Sequence, residues 1–141
     1  MSKHNFSEKL KAELLNVKFK NAAEKRACLS AYVRSSGTIC SEGGAVGFEL
    51  NPAGEAEKNF FVSIIRSLYN FEPQTITSVR RGKITLKVLG GKSAEILLDL
   101  GIIEKDEEGI ALKLGIDENQ VTDGTRGAYL RGLFLGSGSV T

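Results

Sequence analysis

The sequence predicts an α+β fold, in which an antiparallel sheet of four strands carries helices on one face and leaves the other face open. Two observations lead to this prediction. Segments with apolar residues at helical spacing alternate with two hairpin-like segments, "TICSEGGAVGFEL" and "QTITSVRRGKITLKVLGG". In addition, 41% of the 141 residues are hydrophobic, which is ordinary for a single folded domain.

Five segments have the pattern of helices. The first lies within residues 1–23, and the second, "KNAAEKRACLSAYVRSS", ends at Gly37. We expect Gly37 to adopt the left-handed conformation that favours glycine after a helix. The third helix, "GEAEKNFFVSIIRSLYNF", follows the break at Asn51-Pro52. The fourth, "GKSAEILLDLGII", stops at Gly101, and a fifth begins near Thr125.

The two hairpins supply the four strands. In the first, Glu42-Gly43-Gly44 forms the turn, and the alternation of Val46, Phe48 and Leu50 predicts one buried face. In the second, a two-residue turn at Arg81-Gly82 would pair Val79 with Ile84 and Thr77 with Leu86 on the buried side. The opposite side would then be basic and hydroxyl-rich, with Arg80 beside Lys83, Ser78 beside Thr85, and Ile76 beside Lys87.

Composition excludes several classes of protein. No apolar run approaches the roughly 20 residues of a membrane span, and no signal peptide is visible. Cys28 and Cys40 are expected to be free thiols, which is typical of a cytoplasmic protein. Two cysteines and a single histidine predict no metal site, and no motif predicts a cofactor. The net charge of +2 permits nucleic-acid binding without requiring it.

Two similar segments occur 101 positions apart: "ACLSAYVRSSGTIC" at 27–40 and "AYLRGLFLGSGSVT" at 128–141. In register, Leu29 matches Leu130 and Gly37 matches Gly138, among others. Each segment has small residues four apart, namely Ala31 and Ser35 in the first and Gly132 and Gly136 in the second. Such spacing lets two helix backbones approach closely. We therefore predict that the two helices pack on each other across a pseudo-twofold axis.

A helix with the pattern Leu-x-Gly-Leu-x-x-x-x-Gly resembles the LAGLIDADG motif of homing endonucleases. The resemblance implies an αββαββα half with a four-stranded antiparallel sheet, two motif helices at the interface of two halves, and an acidic metal ligand before the last glycine of each motif. Here those positions hold Ser36 and Ser137, and the motif's other acidic position holds Arg34 and Leu135. Since serine lacks the negative charge that Mg²⁺ prefers, we expect no endonuclease activity.

A narrower resemblance covers nearly the whole chain. "FSEKLKAEL", "SAEILLDLGI" and "RGAYLRGLFLGSGSV" resemble the WhiA family of bacterial sporulation and cell-division regulators. The family implies a degenerate LAGLIDADG-type domain joined to a C-terminal helix-turn-helix domain that binds promoter DNA. The chain is then expected to be an N-terminal fragment with four parts: a helical extension (1–23), a first half (24–104), a connector with little regular structure (105–124) and the start of a second half (125–141).

The resemblance implies a non-catalytic module of a DNA-binding transcriptional regulator, located in the cytoplasm at the nucleoid and serving cell division, chromosome segregation or sporulation. The alternative is a protein-interaction module that contacts another transcription factor, with DNA binding confined to the missing domain. A basic sheet face would favour DNA, and a mixed or apolar face would favour a protein partner. The DNA-binding candidates are Arg34, Ser78, Arg80, Arg81, Lys83, Thr85 and Lys87.

The same candidates also fit a plain solvated hairpin, whose charges protect a sheet edge from aggregation. Arg34 would contact a phosphate or form a surface salt bridge, and Arg131 is expected to face solvent. In the last helix, Tyr129, Leu133 and Phe134 are expected to be poorly covered, which predicts a weak homodimer.

Overall fold

The computed structural model describes residues 3–16, 18–78, 82–113 and 121–137. Five helices lie in these ranges: α1 (Lys3–Asn16), α2 (Ala22–Ser36), α3 (Glu55–Tyr69), α4 (Ser93–Asp99) and α5 (Arg126–Ser137). Six strands accompany them: β1 (Thr38–Glu42), β2 (Ala45–Leu50), β3 (Gln74–Ser78), β4 (Lys83–Val88), β5 (Ile103–Asp106) and β6 (Gly109–Leu112). Within the described ranges, no helix is long and apolar enough to cross a bilayer.

The predicted four-stranded antiparallel sheet is confirmed, with strand order β1-β2-β4-β3. Alternating side chains of the two central strands point into the core, where Phe48, Leu50, Leu86 and Val88 are fully buried. They pack against apolar side chains of α2, α3 and α4, so the helices cover this face of the sheet. The α+β class predicted from the sequence is therefore confirmed.

The first hairpin has the predicted turn. Glu42 pairs with Ala45, and the two residues between them, Gly43 and Gly44, both have positive φ (56° and 83°). Two consecutive residues in this conformation make a turn whose twist matches that of the flanking strands, and glycine adopts it without steric cost.

The predicted register of the second hairpin is wrong by two residues. Ser78 pairs with Lys83 and Thr77 with Ile84, so four residues (79–82) separate the strands instead of two. Val79, Arg80 and Arg81 lie outside the described residues. A shift of two keeps every strand residue on its predicted face, because side chains alternate with a period of two. The pattern of buried positions therefore could not distinguish the two registers.

The expectation of little regular structure in the connector is also wrong. Strands β5 and β6 form a hairpin in which Ile103 pairs with Leu112 and Asp106 with Gly109. The Lys113 amide also donates to the Ile102 carbonyl (2.9 Å), which joins the end of the hairpin to its beginning. The high charge of 104–108 concealed these short strands, because it obscures the apolar alternation that identifies a strand.

Two glycines end helices in different ways. Gly101 has φ of 72°, and the amides of Gly101 and Ile102 donate to Leu98 and Leu97, as expected for a left-handed helix end. Gly37 was expected to do the same, but its φ of −80° is an ordinary extended value. Glycine is required there for space, because a Cβ at residue 37 would lie 2.6 Å from the Val33 carbonyl oxygen.

Candidate functional site

Helices α2 and α5 pack closely through small residues. A Cβ on Gly132 would lie 2.1 Å from the Cys28 carbonyl oxygen and 3.0 Å from the Ala31 Cβ. A Cβ on Gly136 would lie 1.9 Å from the Ser35 Oγ. The structure thus brings the four predicted packing residues together, and the absence of side chains at both glycines allows the close approach.

The contacts of the helix pair repeat the spacing of the two sequence segments. Gly132 lies against Ala31 and Gly136 against Ser35, and the members of each pair are 101 positions apart. Because both contacts advance in the same direction along both helices, α2 and α5 run parallel. Contact between equivalent positions is the arrangement that a twofold axis between two parallel helices requires.

Two of the positions at which the resemblance would place acidic residues hold side chains that contact the protein itself. The Ser36 hydroxyl donates to the Tyr32 carbonyl one turn earlier (3.0 Å), and Leu135 is buried in the main core. The side chain of Ser137 and the whole of Gly138 lie outside the described residues. In the part of the chain described, no group of three His, Cys, Asp or Glu side chains could hold a metal ion.

Arg34, a predicted DNA contact, is engaged inside the protein. Its Nη2 donates to the Gly101 carbonyl and its Nη1 to the Lys113 carbonyl (3.3 Å). These bonds join the end of α2 to the residues that flank the β5–β6 hairpin. Both nitrogens that make these bonds are therefore engaged with backbone carbonyls, and among the described residues Arg34 forms no salt bridge.

The open face of the sheet, defined as the side that carries Glu42, Glu49, Ile76, Lys83, Thr85 and Lys87, has paired charges. The Lys87 Nζ lies 3.1 Å from Glu42 Oε2 and 4.0 Å from Glu49 Oε1. The hydrogen bond from Lys87 to Glu42 raises the pKa of Lys87, so the ammonium stays protonated. Its positive charge is balanced by the Glu42 carboxylate. The central part of this face is thus mixed in charge, whereas the sequence predicted a basic face.

The remaining candidates lie toward one end of the open face. Lys83 is exposed and opposite Ser78, while Thr85 donates its hydroxyl proton to Asn51 Oδ1 (3.0 Å). Ile76, directly opposite Thr85, has an exposed fraction of 44%. Arg80 and Arg81 come between β3 and β4 in the sequence and lie outside the described residues.

Arg131 was expected to face solvent, and that prediction is wrong. Only 8% of the residue is exposed, and its guanidinium carbon lies 4.4 Å from the ring centre of Phe19 and 4.8 Å from that of Phe60. One feature of the sequence could have indicated this burial. Arg131 stands four residues before the apolar Leu135, so the two side chains share one face of the helix. Tyr129 is also buried, contrary to expectation, and the exposed apolar residue of α5 is Leu130, at 57%.

Glu57 is a buried carboxylate that the sequence did not reveal. It is 5% exposed, and its Oε2 accepts hydrogen bonds from the Tyr32 hydroxyl (2.7 Å) and the Ala53 amide (2.9 Å). Burial and the neighbouring Glu57 charge raise the pKa of Tyr32, which keeps the phenol protonated and donating. The pair thus fixes the start of α3 against the middle of α2.

No protein-family model matches the chain. It is similar to proteins named "Probable cell division protein WhiA", with 30% identity over 147 residues to that of Thermoanaerobacter pseudethanolicus. The identity is 26% over 145 residues to that of Clostridium tetani and 24% over 144 residues to one from Clostridium botulinum. Each match covers 97% of this chain and 46% of the relative, so the chain spans about half the length of the curated relatives that it matches.

Proposed function

Because the chain belongs to the WhiA family, we propose that it is a non-catalytic module of a DNA-binding transcriptional regulator that serves bacterial cell division, chromosome segregation or sporulation. The observation that carries the proposal is the similarity to WhiA cell division proteins along 97% of the chain. The module lies at the nucleoid, in the cytoplasm, and its direct partner is DNA.

The proposed architecture is one LAGLIDADG-type half with the motif helix of a second. The order α2-β1-β2-α3-β3-β4-α4 is the αββαββα order of such a half, and it supports a first half that runs from the start of α2 to the end of α4, close to the proposed 24–104. Contact between equivalent positions of α2 and α5 supports the start of a second half near residue 125. The neutral Ser36 and the inward-bonded Arg34 support a module without metal-dependent cleavage.

DNA would contact one end of the sheet and not its whole open face. Lys87 is paired with Glu42 and Glu49, so its charge is not free to neutralise a phosphate. Lys83 is exposed, is not part of those pairs, and follows Arg80 and Arg81 by only a few residues. The cations of residues 80–83 are therefore the proposed phosphate contacts.

A fluorescence anisotropy titration against a random DNA duplex at increasing salt tests this proposal. We expect the affinity to fall as salt rises, and the combined change Arg80→Ala, Arg81→Ala and Lys83→Ala to reduce the slope of log K against log[salt] by roughly one unit for each phosphate that is no longer neutralised. Lys87→Ala is the matched control, because its charge is already paired, and it should leave the slope nearly unchanged. Wild-type protein that does not bind DNA at low salt would contradict the proposal.

A second candidate, a protein-interaction module, is favoured by one observation. The open face combines paired charges with the exposed Ile76, a composition closer to that of a protein interface than to that of a DNA-binding surface. Its partner would be another transcription factor or a second copy of the chain in a weak homodimer. The absence of DNA binding in the titration above, together with binding of such a partner that Ile76→Lys abolishes, would select this alternative.

A further inference from the structure

Two of the three nitrogens of the buried Arg131 guanidinium have no hydrogen-bond acceptor among the described residues. Its Nε and Nη2 have no partner in the part of the chain that the structure describes, although the residue is 8% exposed. Contacts with the rings of Phe19 and Phe60 stabilise a cation, but they do not replace hydrogen bonds to its N–H groups. Burial also lowers the pKa of Arg131.

This side chain lines a cleft of about 290 Å³ between the end of α1, the connection to α2, and the first half of α5. Leu14, Phe19 and Ala128 supply apolar walls. Lys18 and Lys20 are exposed at the same cleft, so its entrance is cationic. The volume is near the lower end of the range for small-molecule sites, so the cleft is large enough for a small metabolite but not for a peptide.

Glu24 is the one acidic side chain among the cleft residues in the described ranges, and its carboxylate already accepts a hydrogen bond. Its Oε1 accepts the Lys20 amide (2.6 Å) at the start of α2. Its charge acts on Arg131 from a distance, without a direct ion pair. With three cations against one anion, the cleft retains positive charge that its own residues do not neutralise.

We propose that this cleft binds a small oxyanion, a carboxylate or a phosphate group on a small molecule, through Arg131. A guanidinium forms its strongest hydrogen bonds with such groups, and an oxyanion would supply the acceptors that the described residues do not provide. Lys18 and Lys20 attract the anion to the entrance, and the apolar walls contact the rest of the molecule. Because Nε and Nη2 are covered by neighbouring atoms, binding requires those atoms to move aside.

Isothermal titration of the 141-residue chain with inorganic phosphate and, separately, with acetate tests the proposal at constant ionic strength in chloride. We expect saturable binding of at least one probe, and the preferred probe identifies the group as phosphate or carboxylate. Arg131→Lys should weaken it at least tenfold, because lysine lacks the planar array of donors. Lys18→Ala combined with Lys20→Ala should weaken it several-fold.

Two controls keep the test decisive. Lys105→Ala removes an exposed cation from the β5–β6 hairpin, which does not line the cleft, and should leave anion affinity unchanged. Since Lys18 and Lys20 are exposed, their replacement does not threaten folding, and the double variant tests the cleft even if Arg131→Lys fails to fold. Binding of neither probe, or binding that neither the Arg131 nor the double lysine variant weakens, would overturn the proposal. The result is independent of whether the sheet binds DNA.

Discussion

Gly132→Ala is expected to lower the free energy of unfolding by about 3 kcal/mol, because the new methyl group would meet a backbone atom that cannot move aside. The added Cβ would lie 2.1 Å from the Cys28 carbonyl oxygen and 2.9 Å from the carbonyl carbon. Relief requires α2 and α5 to separate, which also loosens the packing of Gly136 on Ser35. The alanine is otherwise favourable in a helix, so any loss of stability is due to the clash.

Gly127→Ala in the same helix is the matched control for this experiment. Apart from its chain neighbours and the backbone of its own helix, no described atom lies within 4 Å of a Cβ at that position, so the substitution should stabilise the protein by up to about 1 kcal/mol through helix propensity alone. Urea unfolding of the three proteins gives both values. Equal effects of the two substitutions would mean that α2 and α5 are not in close contact.

Leu29→Ala is expected to cost about 3 kcal/mol of stability, whereas Leu130→Ala should change it by less than about 0.5 kcal/mol. The two leucines occupy equivalent positions of the repeated segments, but Leu29 is fully buried and Leu130 is 57% exposed. Leu29 belongs to the same buried core as apolar residues of the sheet, α3 and α4, and its truncation leaves a cavity in that core.

The unfolding midpoints of the two leucine variants provide the measurement. The comparison is matched, because each variant loses the same atoms of a leucine side chain. A large loss of stability from Leu130→Ala would show that this side chain is covered in solution, for example by a second copy of the chain. In that case the loss should depend on protein concentration. Equal losses that do not depend on concentration would contradict the burial described for α2 and α5.

Much of the fold could be predicted from local sequence patterns. The alternation of Val46, Phe48 and Leu50 and the Gly43-Gly44 turn identified the first hairpin, because strand period and turn chemistry act over a few residues. The register of the second hairpin could not be predicted, since a shift of two residues leaves the same side chains buried. The β5–β6 hairpin was not predicted, because its strands have four residues each and β5 carries three charges.

The candidate site was less predictable, because it depends on contacts between residues far apart in the sequence. The pairing of Lys87 with Glu42 joins residues on two strands that are not neighbours in the sheet, and no local pattern shows it. Arg34 and Arg131 are arginines within helices, a position that is usually exposed. Only the packed structure shows that one donates to carbonyl groups and that the other lies between two aromatic rings.

The contact between equivalent positions of α2 and α5 can be tested by exchanging the two residues at one of these positions. Gly136→Ser alone should destabilise the protein, because its Cβ would lie 1.9 Å from the Ser35 Oγ and 3.1 Å from the Ser35 Cβ. Ser35→Gly removes those atoms, so the double variant moves one side chain from α2 to α5 across the same contact. The coupling free energy from urea unfolding of the four proteins is the decisive measurement. We predict a favourable coupling of about 1 kcal/mol or more, and additive effects of the two substitutions would contradict the pairing of the repeated segments.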